Sequence, residues 1–263
     1  MSTLLFEAYQ IEMGAKDKWP SNTTLYQPYQ VEQVILPDHS NCVAVRTFLS
    51  MCGVSYDLQL RTNAEEMSPS ASVPMLKLGN CSVAGFDAIV STVKIRGFSL
   101  TSTLKETQLS EMAAYISMVQ SVLCNAELFL AWIQEDIYSS STRPRYGSVH
   151  PWPLSRILPW TKRREIKAKL TANGWINKSE ESVYEEIQAC LTALTDRLGT
   201  GEYFFDQPTE LDAVVFGHVY NLLTFQIPGL NKLASILKQK QFKRLVEEFC
   251  KRIERTYYKD VEQ

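Results

Sequence analysis

The stretch that most constrains this chain is Ser72-Val73-Pro74-Met75-Leu76-Lys77-Leu78-Gly79-Asn80-Cys81-Ser82-Val83-Ala84-Gly85-Phe86-Asp87-Ala88-Ile89-Val90. It predicts strand, tight turn, strand and helix in succession. An X-Pro amide has lost most of its trans preference, so a Val-Pro step entering a short apolar run predicts a cis bond before Pro74. Gly79-Asn80 lies between two four-residue apolar or alternating runs. Both residues tolerate positive φ, which predicts a two-residue hairpin turn. Phe86, Ile89, Val90 and Val93 then recur at helical spacing up to Gly97, a terminating residue.

Upstream, Pro20 and Pro28 bracket Thr23 to Tyr26, so Gln33 to Leu36 is the stronger candidate for a first strand. Pro37-Asp38-His39-Ser40 reads as a turn, with Asp38 or Ser40 as helix N-cap. Val45, Phe48, Leu49 and Cys52 give the next helix a buried stripe ending at Gly53, and Tyr56 to Leu60 alternates as a second strand. Residues 61–72 are a polar connector with at most one helical turn. The order is β-α-β followed by β-β-α.

That order, with its Val-Pro pair, resembles the thioredoxin-like domain of glutathione S-transferases. In those enzymes an acid-Ser pair at the head of the helix after the hairpin grips the anionic end of glutathione, aided by the helix N-terminus. Aligned on Pro74, these positions are Gly85 and Phe86. Phe86 offers neither a hydroxyl nor room, so the resemblance implies a lost glutathione grip and an anchoring pocket filled by a ring. The same enzymes place a nucleophile at the head of the first helix, where this chain has His39, Ser40 and Cys42. A helix dipole could lower the Cys42 pKa. The preferred reading has Ser40 capping, Cys42 packing and His39 solvated, because nothing else for thiol chemistry lies nearby. A glutathione-dependent transferase or thiol oxidoreductase is the alternative.

Ser99 to Thr103 is the expected linker to a helical second half. Met112, Ile116, Val119, Leu123, Ala126, Leu130 and Ile133 follow at spacings of three and four, the seam of a long core helix. Ser139-Ser140-Ser141-Thr142-Arg143-Pro144 reads as a surface loop, continued through Trp152 with prolines on both sides. Arg156 to Lys169 holds six basic residues against one acid, Glu165. On a helix this run suits an anionic membrane surface or an acidic partner, and Lys162, Arg163, Arg164, Lys167 and Trp152 are the candidate contacts; a solvated face is the alternative. Further on, Thr209 followed by Asp212 forms a capping-box variant worth about 1 kcal/mol or more. Phe242, Leu245, Val246, Phe249, Ile253 and Tyr257 give a last amphipathic helix.

The expected fold is α/β plus all-α. A thioredoxin-like domain over 23–98 follows an N-terminal segment 1–22, and a linker 99–103 leads to an all-helical transferase C-terminal-like domain over 104–263. A formal net charge of −2 argues against nucleic acid as a partner. No run approaches the roughly 18 apolar residues that cross a bilayer, so membrane association is expected to be peripheral. Leu4, Leu5, Phe6, Tyr9, Ile11 and Met13 are interrupted by Glu7 and Glu12, which fits an amphipathic helix better than a signal or transit peptide. Six scattered cysteines without a Cys-x-x-Cys pattern point to a reducing compartment and to no metal site.

Three blocks carry a sharper likeness: Asn63-Ala64-Glu65-Glu66-Met67-Ser68-Pro69-Ser70 into Val73-Pro74; Arg145-Tyr146-Gly147-Ser148 with Pro151-Trp152-Pro153-Leu154; and Tyr203-Phe204-Phe205 through Pro208-Thr209-Glu210-Leu211-Asp212-Ala213 to Phe216-Gly217-His218. With these the chain resembles the metaxins from about Asn22 to Tyr258. The resemblance implies a non-catalytic subunit, peripheral on the cytosolic face of the mitochondrial outer membrane, with no catalytic residues and no cofactor. It implies pairing with a membrane-anchored metaxin-1-like protein and a role beside the β-barrel assembly channel in sorting and assembly of outer-membrane proteins. It further implies links to kinesin and mitochondrial transport adaptors. The missing hydrophobic tail agrees with a member tethered through its partner.

Overall fold

A computed structural model describes residues 19–29, 33, 35–224 and 231–258. The amphipathic N-terminal segment read from residues 4–13 lies outside them. Four short strands form one sheet: β1 (Thr24–Gln27), β2 (Asp57–Leu60), β3 (Met75–Leu78) and β4 (Cys81–Ala84), in the order β2-β1-β3-β4. β1 runs parallel to β2 and antiparallel to β3, with Leu25 opposite both Leu58 and Leu76. β3 and β4 form the hairpin, and Gly79 takes φ 60° in the turn. The Val73–Pro74 bond is cis, as is Trp152–Pro153.

The first strand is Thr24–Gln27, not Gln33–Leu36. Its bracketing prolines lie outside the ladder and remove no donor from it, and Leu25 gains complete burial between two neighbouring strands. Helix α1 (Leu36–Met51) starts earlier than the expected caps, with Ile35 as N-cap. Pro37 fits the first helical turn, where its missing N–H would be unpaired in any case. Asp38 and Ser40 are therefore inside the helix and cap nothing.

A single helical turn, α2 (Ala64–Met67), interrupts the polar connector, and α3 (Phe86–Ile95) follows β4. Helix α4 runs continuously over Glu106–Trp132, with one π-helical turn at Gln120–Cys124. It is long and apolar enough to cross a bilayer by length and composition, a property that counting uninterrupted apolar residues does not register. Here Met112, Val119, Leu123, Ala126 and Leu130 are buried in the common core of the fold.

The serine-rich stretch is not a surface loop. Residues 135–147 form helix α5, with a π turn at Tyr138–Thr142, and Ser141 and Thr142 are buried. The hydroxyls satisfy themselves on nearby carbonyls: Ser140 donates to Asp136 O at 2.5 Å and Thr142 to Ala131 O at 2.6 Å. Helices α6 (Leu154–Ala172), α7 (Glu180–Leu198), α8 (Glu210–Thr224), α9 (Asn231–Leu237) and α10 (residues 244–257) complete the bundle.

The sheet layer meets the bundle where α1 lies against α8. Their axes come close because Gly217 has no side chain: a Cβ there would sit 2.5 Å from Ser40 O and 2.7 Å from Ala44 Cβ. Alanine would gain about 1 kcal/mol of helix propensity over glycine, yet overpacking a rigid contact costs roughly 1–3 kcal/mol. The clash involves backbone and dominates. We expect Gly217→Ala to lower the unfolding free energy by about 2 kcal/mol, read from urea titrations, whereas a helix limited by propensity alone would gain stability.

Candidate functional site

Ser40, the hydroxyl nearest the position of a transferase nucleophile, is fully buried at the α1–α8 contact. Its Oγ lies 2.8 Å from Glu127 Oε1 on α4 and 3.0 Å from Leu36 O. Asn221 on α8 donates to Ser40 Oγ at 2.6 Å and to Leu36 O at 2.5 Å. His218 Nδ1 stands 3.0 Å from the same Glu127 oxygen. Four polar side chains from three helices thus bond to one another inside the core, where an unpaired group would cost about 1–3 kcal/mol; Glu127 Oε2 and Asn221 Oδ1 are buried there without a hydrogen-bond partner. Ser40 is 0% exposed, and its hydroxyl is taken up by these bonds within the core.

Cys42 turns the other way, into a small buried cluster with Ala64 and Val73. Burial, reinforced by Asp38, pushes its thiol pKa up, the reverse of an activated thiolate. His39 is lowered to about 4 by burial and by Arg46, so it is neutral near pH 7. All six cysteines are free thiols. Among the described residues no group of His, Cys, Asp or Glu gathers to hold a metal.

Beside the proline-led hairpin lies an open cleft of about 610 Å³. Asn41, Ser72, Val73, Gly85, Phe86 and Asp87 line one side; Gln120, Cys124, Asn125 and Lys169 line the other. The expectation of a pocket plugged by Phe86 is corrected here. The Phe86 ring turns toward the core and meets Phe48 edge-on at 6.0 Å, leaving only its rim to the cleft. At the head of α3, Gly85 takes φ 84° and no side chain caps the helix; Asp87 instead accepts two bonds from Gln120. The cleft's thiol, Cys124, is raised to about 12 by burial and by Glu127, so it stays protonated.

Two of the signature blocks converge on Glu65 of α2. Tyr146 of α5 donates its hydroxyl to Glu65 Oε2 at 2.9 Å, and Lys162 of α6 pairs with Glu65 Oε1 at 2.5 Å. Burial works against the Lys162 charge, but Glu65 overrides it and the pKa rises. Gly147, next to Tyr146, lets α5 touch α6, since a Cβ would collide with the Ser155 carbonyl. Asp38 faces this cluster, and burial together with Glu65 raises it to about 7 against the pull of Lys162 and Lys169. The third block closes on Asp212, which accepts from Phe204 N at 3.1 Å, Thr209 N at 2.9 Å and Thr209 Oγ1 at 2.6 Å.

The basic run splits in two. Arg163 points inward: it donates to Trp132 O at 2.8 Å, pairs with Glu135 at 2.6 Å and covers the Tyr138 ring at 3.8 Å. It thereby occupies carbonyls left over at the C-terminal end of α4. Lys162 is likewise committed to Glu65. Arg164 and Lys167 are exposed, and Trp152 projects into solvent.

Comparison with known proteins places this geometry. A family model described as outer mitochondrial membrane transport complex protein matches residues 42–163, and one for the glutathione S-transferase C-terminal domain matches residues 187–253. The chain is 44% identical to metaxin-2 of Mus musculus over 259 residues, 98% of this chain and 97% of that protein. The chain belongs to the metaxin family. Metaxin-1 of Mus musculus is 29% identical over 71% of this chain and 61% of its own length. Among solved structures, a glutathione S-transferase of Ceriporiopsis subvermispora in complex with glutathione superposes with a TM-score of 0.58 at 14% identity, covering 89% of this chain and 97% of that one. At that identity the likeness is one of fold.

In this metaxin the sequence reading missed Glu127 and Asn221. Both sit on helices whose apolar periodicity hides them, and only the α1–α8 approach explains their burial. The signal available was a Glu and an Asn at otherwise apolar helix positions. Replacing Glu127 by Ala removes the partner of His218 and one of the three bonds at Ser40; we expect a loss of about 3 kcal/mol, against about 1 kcal/mol for Gln, whose oxygen keeps both bonds. Asp38, unprotonated above about pH 4 in the unfolded chain, holds its proton up to about pH 7 when folded. The native state therefore binds more protons in that window, and the Asp38 contribution falls as pH rises through it. Asp38→Asn should flatten the decline of the urea midpoint between pH 5 and 7.

Proposed function

We propose that this chain is a non-catalytic adaptor subunit, peripheral on the cytosolic face of the mitochondrial outer membrane. It pairs with a metaxin-1-like protein and works beside the β-barrel assembly channel in the sorting and assembly of outer-membrane proteins. The same reading gives it a part in mitochondrial transport along microtubules, through kinesin-linked adaptors.

The observation that carries the reading is the identity to metaxin-2 along nearly the whole chain. Support for a non-catalytic role comes from the head of α1. Ser40 is locked to Glu127, and Cys42 is buried with its thiol pKa pushed up. Neither hydroxyl nor thiol is presented to a substrate there. Pairing with a partner of the same family is supported by the kinship that this chain also has with metaxin-1.

A second reading, a glutathione-dependent transferase or thiol oxidoreductase, draws on the open cleft beside Val73 and Gly85. It lacks an anionic grip, because Gly85 and Phe86 stand where an acid and a serine would bind the ligand. Calorimetric titration separates the two. With the purified chain we expect no saturable heat at cellular glutathione concentrations, and stable co-purification with a metaxin-1-like protein. Saturable glutathione binding, or failure to co-purify, would overturn the adaptor reading.

A further inference from the structure

Nine large hydrophobic side chains are exposed among the described residues, and four of them, Trp152, Leu154, Ile157 and Trp160, fall within one short stretch. Their exposures are 79%, 43%, 47% and 55%, so they are presented outward, not grazed by solvent at an edge. Leu154, Ile157 and Trp160 follow at three-residue spacing on α6, which sets them along one side of the helix. The opposite side buries Pro159, Ile166 and Leu170. Single exposed apolar residues need no explanation, but two tryptophans and two aliphatics together do.

The charges on α6 are sorted in the same way. Lys162 and Arg163 face inward and are spent on Glu65 and Glu135. Arg156, Arg164 and Lys167 are exposed and hold no salt bridge among the described residues. Arg164 lies 5.0 Å from the Trp160 ring, tying the cationic part of the face to the aromatic part. The helix's one acid, Glu165, is paired with Lys162. The outward face is thus apolar over its first two turns and cationic beyond them, and the exposed carboxylate of Glu165 beside it is paired with Lys162.

We propose that this face docks on an anionic phospholipid surface, with α6 lying along the interface. Tryptophan prefers the headgroup level because its ring is apolar and its N–H polar, and an amphipathic helix with a basic rim is held by apolar burial plus attraction to anionic lipid. The face is a convex helix side and its four apolar residues do not line the cleft. That suits a soft, flat surface better than a protein knob. The proposal rests on the peripheral placement given above and names the surface that makes it. It also moves the contact from Lys162 and Arg163 to Trp152, Leu154, Ile157 and Trp160, with Arg156, Arg164 and Lys167.

The test is co-flotation of the full chain with vesicles of phosphatidylcholine alone and of equimolar phosphatidylcholine and phosphatidylserine. Three surface cations should favour the anionic vesicles by on the order of a hundredfold at low salt. Of the five tryptophans, Trp132 and Trp175 are buried, so blue-shifted emission and quenching by brominated acyl chains report the exposed ones. Trp152→Ser with Trp160→Ser, and separately Arg156→Glu with Arg164→Glu and Lys167→Glu, should each weaken flotation more than about tenfold while circular dichroism and thermal transition stay unchanged.

Wild-type protein that ignores anionic vesicles overturns the inference, as does flotation that survives both sets of substitutions. Pairing with a metaxin-1-like protein is followed in parallel. Pairing retained without lipid binding sinks this inference and leaves the adaptor reading standing. Pairing lost in the tryptophan variant, with no lipid binding by wild type, assigns the face to a protein and also overturns it. Lipid binding without pairing supports this surface and sinks the adaptor reading.

Discussion

At the contact between α1 and α8, Gly217 lets two helices approach until backbone meets backbone, and the polar groups trapped there must then find partners within the core. Ser40, Glu127, His218 and Asn221 are the partners. The sheet layer and the helical bundle are joined by this network, and α4 is drawn into it through Glu127. Such a junction is apolar in bulk but specific in register, because sliding either helix would leave a carboxylate unpaired in a low-dielectric interior.

The same junction bears on the fold that this chain shares with glutathione S-transferases. The hydroxyl nearest the position of their nucleophile is consumed in holding the two layers together. The cleft beside the hairpin remains, but its thiol is kept protonated and its helix head lacks an anion grip. Two of the blocks that resemble the metaxins lie elsewhere and supply Glu65, Tyr146 and Gly147. Glu65, Tyr146 and Lys162 tie α2, α5 and α6 into one unit, and Gly147 fits α5 against α6. That unit carries the outward face of α6.

Legibility in the sequence followed the range of the forces involved. The hairpin, its turn and the helix after it were readable because Pro74, Gly79 and the Phe86-Ile89-Val90-Val93 spacing act within a few residues of themselves. The strand Thr24–Gln27 was outranked by Gln33–Leu36, since its strength comes from β2 and β3, distant in sequence. Residues 139–144 looked like a loop because serine and threonine favour turns; in α5 their hydroxyls bond back to helix carbonyls and the propensity is overridden. The run Arg156–Lys169 was visible as a charge excess, but its division into inward and outward halves was not.

The sequence by itself determined the order of elements around Pro74, the helical second half and the family, because these rest on local backbone preferences and on residue identity. Only the tertiary structure decided that Phe86 packs inward and leaves a cleft open, that Ser40 is bonded into the core and caps nothing, and that Lys162 and Arg163 are spent internally while Trp152 and Trp160 are not. These outcomes depend on which distant groups meet, and the energy of a buried hydrogen bond or ion pair is set by that meeting and not by the residue alone.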